Sequence, residues 1–474
     1  MKRFFYVALI SLLTLSAIFS AGYAANAKQL SARDIHFNAT VVDSHNDTMM
    51  KAVNPTTWLP ETDIRGNTDF HIDIPKLQAG GLNVPFFAAY TSGYYGNNPR
   101  SISRTLALIN ALYWTEERNS DVLEITTSLK EIEKVRRDGK IAAVPTVEGA
   151  YSLEEHNAIE LLHQYYDLGI RALGFTWNYS NALGEGANRV YGDTTRTPSP
   201  AGLTELGKEV AQEMNKLGML IDVSHLSEAS FWDVIEVSKA PIMATHSGAS
   251  SLREHARNLT DEQLKALAEN GGVVGVVFYP DFLKYGYPTE KVYIKDYVDH
   301  IEHAVKVAGI DHVALGSDFD GGPLPTDIKD ASELYKVTEE LVRRGYSQQD
   351  IEKLLGKNTL RLLKDVEKAA EHTPAEAGQG LTITPALKMG ETVPSNTPLL
   401  TAKLERINGA PIDASSLRVI VDGIPYSPEF NKETSTISLQ LKEPLKEKFH
   451  VVTFEAANTA GKIEKETRIF YINQ

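Results

Sequence analysis

The chain has 474 residues, no cysteine, 23% charged residues and a formal net charge of −14. The missing cysteines exclude disulfides, thiolate metal ligands, cysteine nucleophiles and a lipidated cysteine, and the acidic balance gives nucleic acid or an anionic membrane little to bind. About 450 residues past the first two dozen is too long for one average domain.

In residues 1–24, Lys2 and Arg3 precede the apolar run FFYVALISLLTLSAIFSAGYA, which ends in small residues; this reads as a secretory signal peptide. Cleavage after Ala24 or after Ala27 satisfies the small-residue rule equally, and losing Lys2 and Arg3 takes the charge to −16. The expected location is outside the cytoplasm, periplasmic or secreted. The alternative is a retained anchor, because the run is near the spanning limit.

Between residues 30 and 370, short apolar runs rich in β-branched residues alternate with helical spacing. The strands expected are 38–44, 84–91, 140–147, 171–176, 219–224, 241–245, 273–279 and 311–317, with amphipathic helices at 155–168, 204–217, 228–238, 260–269, 292–308, 333–345 and 348–366. Continuous apolar strands alternating with helices predict a parallel sheet covered by helices. Eight such units predict an α/β fold closed as a (β/α)8, TIM-like barrel, with an open doubly wound sheet as the alternative.

Residues 371–399 are rich in Pro, Gly and Thr and read as a linker. From 400 to 474 short alternating runs are punctuated by NG, DG and NTAG turns, which predicts a small all-β sandwich, Ig-like or fibronectin-like, with His450 as a strand side chain.

In a parallel barrel, residues at the carboxyl ends of the strands face one mouth. His45 and Asp47 follow the first strand in VVDSHND, Glu148 ends the third in PTVEGA, His225 follows the fifth in IDVSHLS, His246 the sixth in MATHSGAS, and Asp318 the eighth in ALGSDFDGG. Singly, each is as well read as a polar strand end or a hydrogen-bonded core histidine. Together, three imidazoles and three carboxylates around one mouth are costly to bury unless cations join them. The donors are nitrogen and oxygen only, which suits zinc and tolerates manganese, cobalt or iron. Six groups exceed one tetrahedral ion with an open position, so two ions are expected, with Glu148 as their bridge and a shared water activated as hydroxide for hydrolysis.

These motifs, together with GLTELGKEVAQEMNKLG and THSGASSLREHARN, closely resemble the membrane dipeptidase (renal dipeptidase) family of zinc peptidases, over roughly residues 35–365. The resemblance implies two Zn2+ per chain and hydrolysis of dipeptides, including those with a D-configured C-terminal residue. It implies His45, Asp47 and Glu148 as ligands of one zinc and Glu148, His225 and His246 as ligands of the other. Arg257, in HARN, resembles the arginine that clamps the substrate carboxylate, and Asp318 the acid/base, with Asp320 competing for that role. One segment departs from the family: a threonine–histidine pair often follows the fourth strand, and here the chain reads FTWNYSN. Trp177 stands at the histidine's place. An indole donates one hydrogen bond and carries no charge, so the carbonyl-holding role falls to a zinc, to Trp177 or to Asn178.

The expected function is therefore a metallodipeptidase. The alternatives are another binuclear hydrolase on the same barrel (an amidase, lactonase or phosphoesterase) and a non-catalytic binding protein. The partners expected are a small peptide substrate and, for assembly, a second copy of the chain in a homodimer, with no nucleic acid and no stable membrane insertion once the signal is cleaved. His300 and His303, in YVDHIEHAVKVAG, read as helix-face residues, and SGYYGNN (92–98) as a possible stretch of pocket rim.

Overall fold

The computed structural model describes residues 30–187, 202–371, 380–407 and 410–473; the signal segment 1–24 lies outside them. The barrel strands are β1 (Val42–Asn46), β2 (Val84–Tyr90), β3 (Leu123–Ile125), β4 (Ile141–Glu148), β5 (Ala172–Gly174), β6 (Leu220–Asp222), β7 (Met243–Ser247), β8 (Val273–Val276) and β9 (Val313–Leu315). They form one sheet in the order β1-β2-β4-β5-β6-β7-β8-β9, and each of the eight expected strands appears in it. The addition is β3, which pairs with the start of β4 while β2 pairs with its end.

Closure runs from β9 back to β1. The Asp318 amide donates to the His45 carbonyl at 3.1 Å and the Asp47 amide to the Phe319 carbonyl at 2.8 Å. Ser44 Oγ donates to the carbonyls of Leu315 (2.8 Å) and Thr245 (2.6 Å) across the interior. The wall is tight here: a Cβ on Gly316 would lie 1.9 Å from the Thr245 carbonyl oxygen, so only glycine fits.

The amino-terminal end of the barrel is plugged by Val42, Val84, Ala142, Leu220, Met243 and Val273 together with Leu362 and Val366 of helix Asn358–Ala369. The polar carboxyl-terminal end is therefore the open one. The longest helix among the described residues, Pro99–Asn119, starts with Asn98 as N-cap and Pro99 in its first turn, a standard start signal. It is buried along most of its length, so its composition shows no polar stripe.

After the barrel come β10 (Leu381–Pro385), β11 (Glu391–Val393), β12 (Leu399–Arg406), β13 (Ile412–Val421), β14 (Ile424–Tyr426), β15 (Glu429–Asn431), β16 (Thr436–Gln440), β17 (Phe449–Asn458) and β18 (Ile463–Ile472). They make a sandwich of two sheets, β10-β12-β16-β15 and β11-β18-β17-β13-β14. The stretch 381–399 expected as linker thus supplies β10 and β11, and the sandwich begins at Leu381. The turn-forming residues there flank a true alternation, because Leu381 and Ile383 are buried while Thr382 and Thr384 are exposed.

The five-stranded sheet lies against the barrel. Phe449, Val451 and Ile469 join the barrel's own core cluster, the Phe449 amide donates to Ser103 Oγ at 2.9 Å, and Gln164 donates to the Ile420 carbonyl at 3.0 Å while accepting from the Gly423 amide at 2.7 Å. His450 is a strand residue of β17, as expected, and pairs with Asp422 at 2.6 Å.

Candidate dinuclear metal centre

His45 lies in β1, Glu148 ends β4 and His246 lies in β7, while Asp47, His225 and Asp318 sit just beyond their strands. All six converge. Glu148 is central: its Oε2 is 3.4 Å from His45 Nε2, and its Oε1 is 2.8 Å from His225 Nε2 and 3.5 Å from His246 Nε2. His45 Nε2 is also 3.8 Å from Asp47 Oδ2 and 3.9 Å from Asp318 Oδ1. Two triads able to hold a metal share Glu148: His45, Asp47, Glu148 and Glu148, His225, His246. A third, His45, Asp222, His246, shares both histidines with them. The backbone is forced to serve this mouth. His225, Asp318 and Asp320 are in the left-handed region, with φ of 66°, 61° and 66°, a conformation that non-glycine residues keep at a cost of roughly 1–3 kcal/mol each.

The hydrogen bonds fix which nitrogens are free to ligate. His225 Nδ1 is 2.8 Å from Asn178 Oδ1, an acceptor, so Nδ1 carries the proton. Thr245 Oγ1 gives its proton to Asp222 Oδ2 at 2.6 Å and so accepts from His246 Nδ1 at 2.9 Å. Asp222 is itself held by the amides of Ser224 and Thr245, at 2.9 and 3.0 Å. Both Nε2 atoms are then bare lone pairs, and they face each other at 2.8 Å with a Glu148 oxygen beside them. Three acceptors in contact with no proton between them are repulsive unless a cation lies among them.

Charge in the site says the same. Burial, with the charges of Arg257 and His45, holds the His225 imidazole well below its ordinary pKa; burial, His45 and Arg257 do so for His246. Both are therefore neutral ligands. Burial, and then the charge of Asp47, push Glu148 up to about 7, and burial holds Asp318 well above the carboxylate range. His45 Nε2, Asp47 Oδ1 and Glu148 Oε2 are sealed from solvent with no hydrogen-bond partner. Buried polar atoms of that kind are rare and ask for an explanation. Zinc, with its preference for imidazole and carboxylate, fits this donor set.

The triads open on a cavity of about 280 Å³ lined by Asp47, Glu148, Trp177, Asn178, Arg257 and Asp318, with Tyr90, Tyr279 and Phe282 among its apolar walls. Arg257 is 3% exposed; it donates to the His246 carbonyl at 3.0 Å and lies 5.5 Å from the centre of the Phe282 ring. Trp177 stands 6.1 Å from the His225 ring, among Tyr90, Tyr94 and Tyr179, so Tyr94 of the 92–98 segment meets the cavity wall through Trp177. Asn178 lines the cavity with its carbonyl committed to His225. Asp320 is removed from the acid/base role: its buried carboxylate accepts from Thr48 Oγ1 (2.8 Å) and the His71 amide (2.7 Å) and pairs with Lys51 (3.1 Å). His300 is a brace, not a surface residue, joining the Ala249 amide (2.9 Å) to the Leu283 carbonyl (3.0 Å) beneath the loop that carries Arg257.

Sequence reasoning missed Asp222 and Thr245, although an aspartate ending a buried strand in IDVSH was a legible signal. It also missed Tyr90, Tyr279 and Phe282, which read as ordinary apolar residues.

A parallel α/β barrel with two carboxylate-bridged triads at its open end is a binuclear metal hydrolase. A profile of the membrane dipeptidase family (Peptidase family M19) matches residues 29–377, and the chain belongs to that family. It is 34% identical to an uncharacterised dipeptidase of Schizosaccharomyces pombe over 71% of this chain and 83% of that one. It is 31% identical to the dipeptidase tcpJ of Claviceps purpurea over 69% of this chain and 77% of that one. A metallopeptidase of Rhodobacter sphaeroides, solved with a phosphinate mimic of the dipeptide L-Ala-D-Ala, superimposes with a TM-score of 0.60 at 29% identity, covering 69% of this chain and 99% of that chain. The centre is that of a zinc dipeptidase with two metal positions.

Proposed function

We propose that the protein cleaves dipeptides with a free C-terminal carboxylate, D-configured C-terminal residues included, and that Arg257 beside the two triads is the group that selects them. The supporting observation is the placement of one buried guanidinium on the wall of a small cavity that is also lined by Asp47, Glu148, His225 and His246. A planar fork in a desolvated site suits bidentate pairing with a carboxylate. The L-Ala-D-Ala mimic bound by the Rhodobacter sphaeroides enzyme supports the stereochemical part.

In this reading His45, Asp47 and Glu148 hold one zinc and Glu148, His225 and His246 the other. Zinc bound there supplies Lewis acidity and a water of lowered pKa. Asp318, partly open to the cavity, receives the proton released on attack and passes it to the departing amine. Asn178 holds the His225 ring in its ligating tautomer, and Trp177 closes the wall beside it without bringing charge to the substrate carbonyl. Residues 1–24 direct export to the periplasm or medium; N-terminal sequencing of the mature protein tests that. Among the described residues no helix is long and apolar enough to cross a membrane.

The test of substrate class compares a dipeptide with its C-terminal amide. A hydrogen-bonded charge pair of roughly 1.5–3 kcal/mol lowers kcat/KM for the amide about 10- to 150-fold. Equal rates for acid and amide would reject the carboxylate clamp.

A further inference from the structure

With Arg257 given to the substrate carboxylate, the scissile carbonyl still needs a donor from the cavity wall. The ionised carboxylates of Asp47, Glu148 and Asp318 only accept, and the ring protons of His225 and His246 are spent on Asn178 and Thr245. The neutral side-chain donors that line the cavity are Tyr90, Tyr279, Trp177 and Asn178. Asn178 grips His225 at Nδ1, on the side of the ring away from the metal-facing Nε2. Tyr279 belongs to the Arg257 wall: its ring is 4.6 Å from that of Phe282, against which Arg257 lies.

Tyr90 is placed differently. Val84 and Phe86 of β2 point into the barrel with Ala142 and Val144 of β4, and side chains alternate along a strand, so Tyr90 and Glu148 point inward as well. The two are partners in the β2–β4 register, on strands about 4.8 Å apart. On its other side β2 neighbours β1, which carries His45. The phenol therefore rises from the strand between those that bring His45 and Glu148, and its ring meets Trp177 edge-on at 5.5 Å. The polar side chain beside its hydroxyl is Ser92, whose Oγ accepts from the Tyr94 amide at 3.2 Å and keeps a proton of its own to give. Among the described residues no carbonyl or carboxylate takes the Tyr90 proton. A phenol titrates near about 10, so at neutral pH this group is an O–H donor facing the cavity.

We infer that Tyr90 is a catalytic residue whose hydroxyl donates a hydrogen bond to the scissile carbonyl oxygen, one that strengthens as that oxygen gains charge. The inference rests on the dipeptidase reading above. As water adds to the carbonyl carbon, the π pair of the C=O bond moves onto oxygen, and the Tyr90 O–H, which keeps its proton, holds that charge. When the amine leaves with the proton passed on by Asp318, the C=O bond reforms and the hydrogen bond relaxes. A donor fixed in advance where charge develops lowers the barrier without reorganising, and the strand register with Glu148 is what fixes this one.

Tyr90→Phe removes the oxygen and keeps the ring. With zinc-loaded enzyme and L-Ala-D-Ala, kcat is expected to fall about 100- to 1,000-fold, the cost of losing one oxyanion donor, with KM little changed and zinc content the same. A phosphinate mimic of L-Ala-D-Ala, tetrahedral and with a charged oxygen, should bind the variant more weakly by a similar factor, read by calorimetry. An unchanged kcat, a loss confined to KM, an undiminished phosphinate affinity or a loss of zinc from the variant would each overturn the inference, the last by making Tyr90 a structural residue. A fall of that size in Trp177→Phe with Tyr90→Phe unimpaired would also overturn it and give the role to the indole. Equal kcat for wild type and Tyr90→Phe leaves the dipeptidase reading standing and removes this one; no turnover of any dipeptide by zinc-loaded wild type removes both.

Discussion

His225 and His246 meet Nε2 to Nε2 at 2.8 Å, each with its other ring nitrogen donating to a fixed acceptor. The contact is tenable when a cation separates the lone pairs, and it depends on groups that touch no metal. Asp222 holds the Thr245 hydroxyl, and the hydroxyl holds His246. Thr245→Val keeps the shape and removes the acceptor. Partners of this kind typically change metal affinity 10- to 100-fold, so about that loss is expected at one of the two metal positions, with Thr245→Ser restoring it. Titration of stripped protein with Co2+, followed by its visible spectrum, reads the two positions without reference to turnover; identical curves for Thr245→Val and wild type would refute the relay.

Arg257 should govern the preference for a free C-terminus. Arg257→Met is expected to erase the acid-over-amide preference, most of the loss falling on the acid substrate. Kinetics on the matched acid and amide pair check this, and a preference retained in the variant would move the clamp elsewhere.

The sandwich should be part of the stable unit. Phe449 is fully buried and belongs to the barrel core cluster. Phe449→Ala is expected to cost about 3–5 kcal/mol, the range for deleting a buried phenylalanine, and a chain ending at residue 371 should expose that apolar face and aggregate. Urea denaturation of the point variant measures the first; a cost below about 1 kcal/mol would mean the sandwich merely touches the barrel.

His450 and Asp422 give the fold a pH dependence away from the active site. Burial lowers the His450 pKa, but the charge and hydrogen bond of Asp422 outweigh it and raise it above 6.5. A raised folded-state pKa means stability that is fully present below the unfolded value and is lost as pH rises through the folded one. Asp422→Asn should therefore destabilise by about 1.5–3 kcal/mol near pH 6, the range for a hydrogen bond to a charged group, and by little at pH 9. A deficit independent of pH, measured by denaturation at both values, would show that the pair does not titrate with folding.

The barrel and its ligand set were legible because each element declared itself locally. VVDSH, AAVPTVE and PIMATH are continuous apolar strands that end in a donor, and topology alone brings those ends together. Helix Pro99–Asn119 was harder to read because burial on nearly all sides erases amphipathic period. The stretch 381–399 was obscured by turn residues that surround LTITP without interrupting it. Thr245 was not legible at all, since a threonine between a carboxylate and an imidazole is defined by neighbours far away in sequence. Asp318 and its competitor Asp320 lie in one SDFD run; the fold turns Asp318 toward His45 and Asp320 toward Thr48, His71 and Lys51.

The central claim is a dinuclear centre bridged by Glu148, and zinc titration of chelator-stripped protein with simultaneous metal analysis and dipeptide turnover tests it most directly. Full turnover is expected at two zinc ions per chain, with Glu148→Ala losing metal from both triads, because its two oxygens face His45 on one side and His225 and His246 on the other, and losing activity with it. Full turnover at one ion or none, or a Glu148→Ala protein that keeps both ions and wild-type turnover, would contradict it.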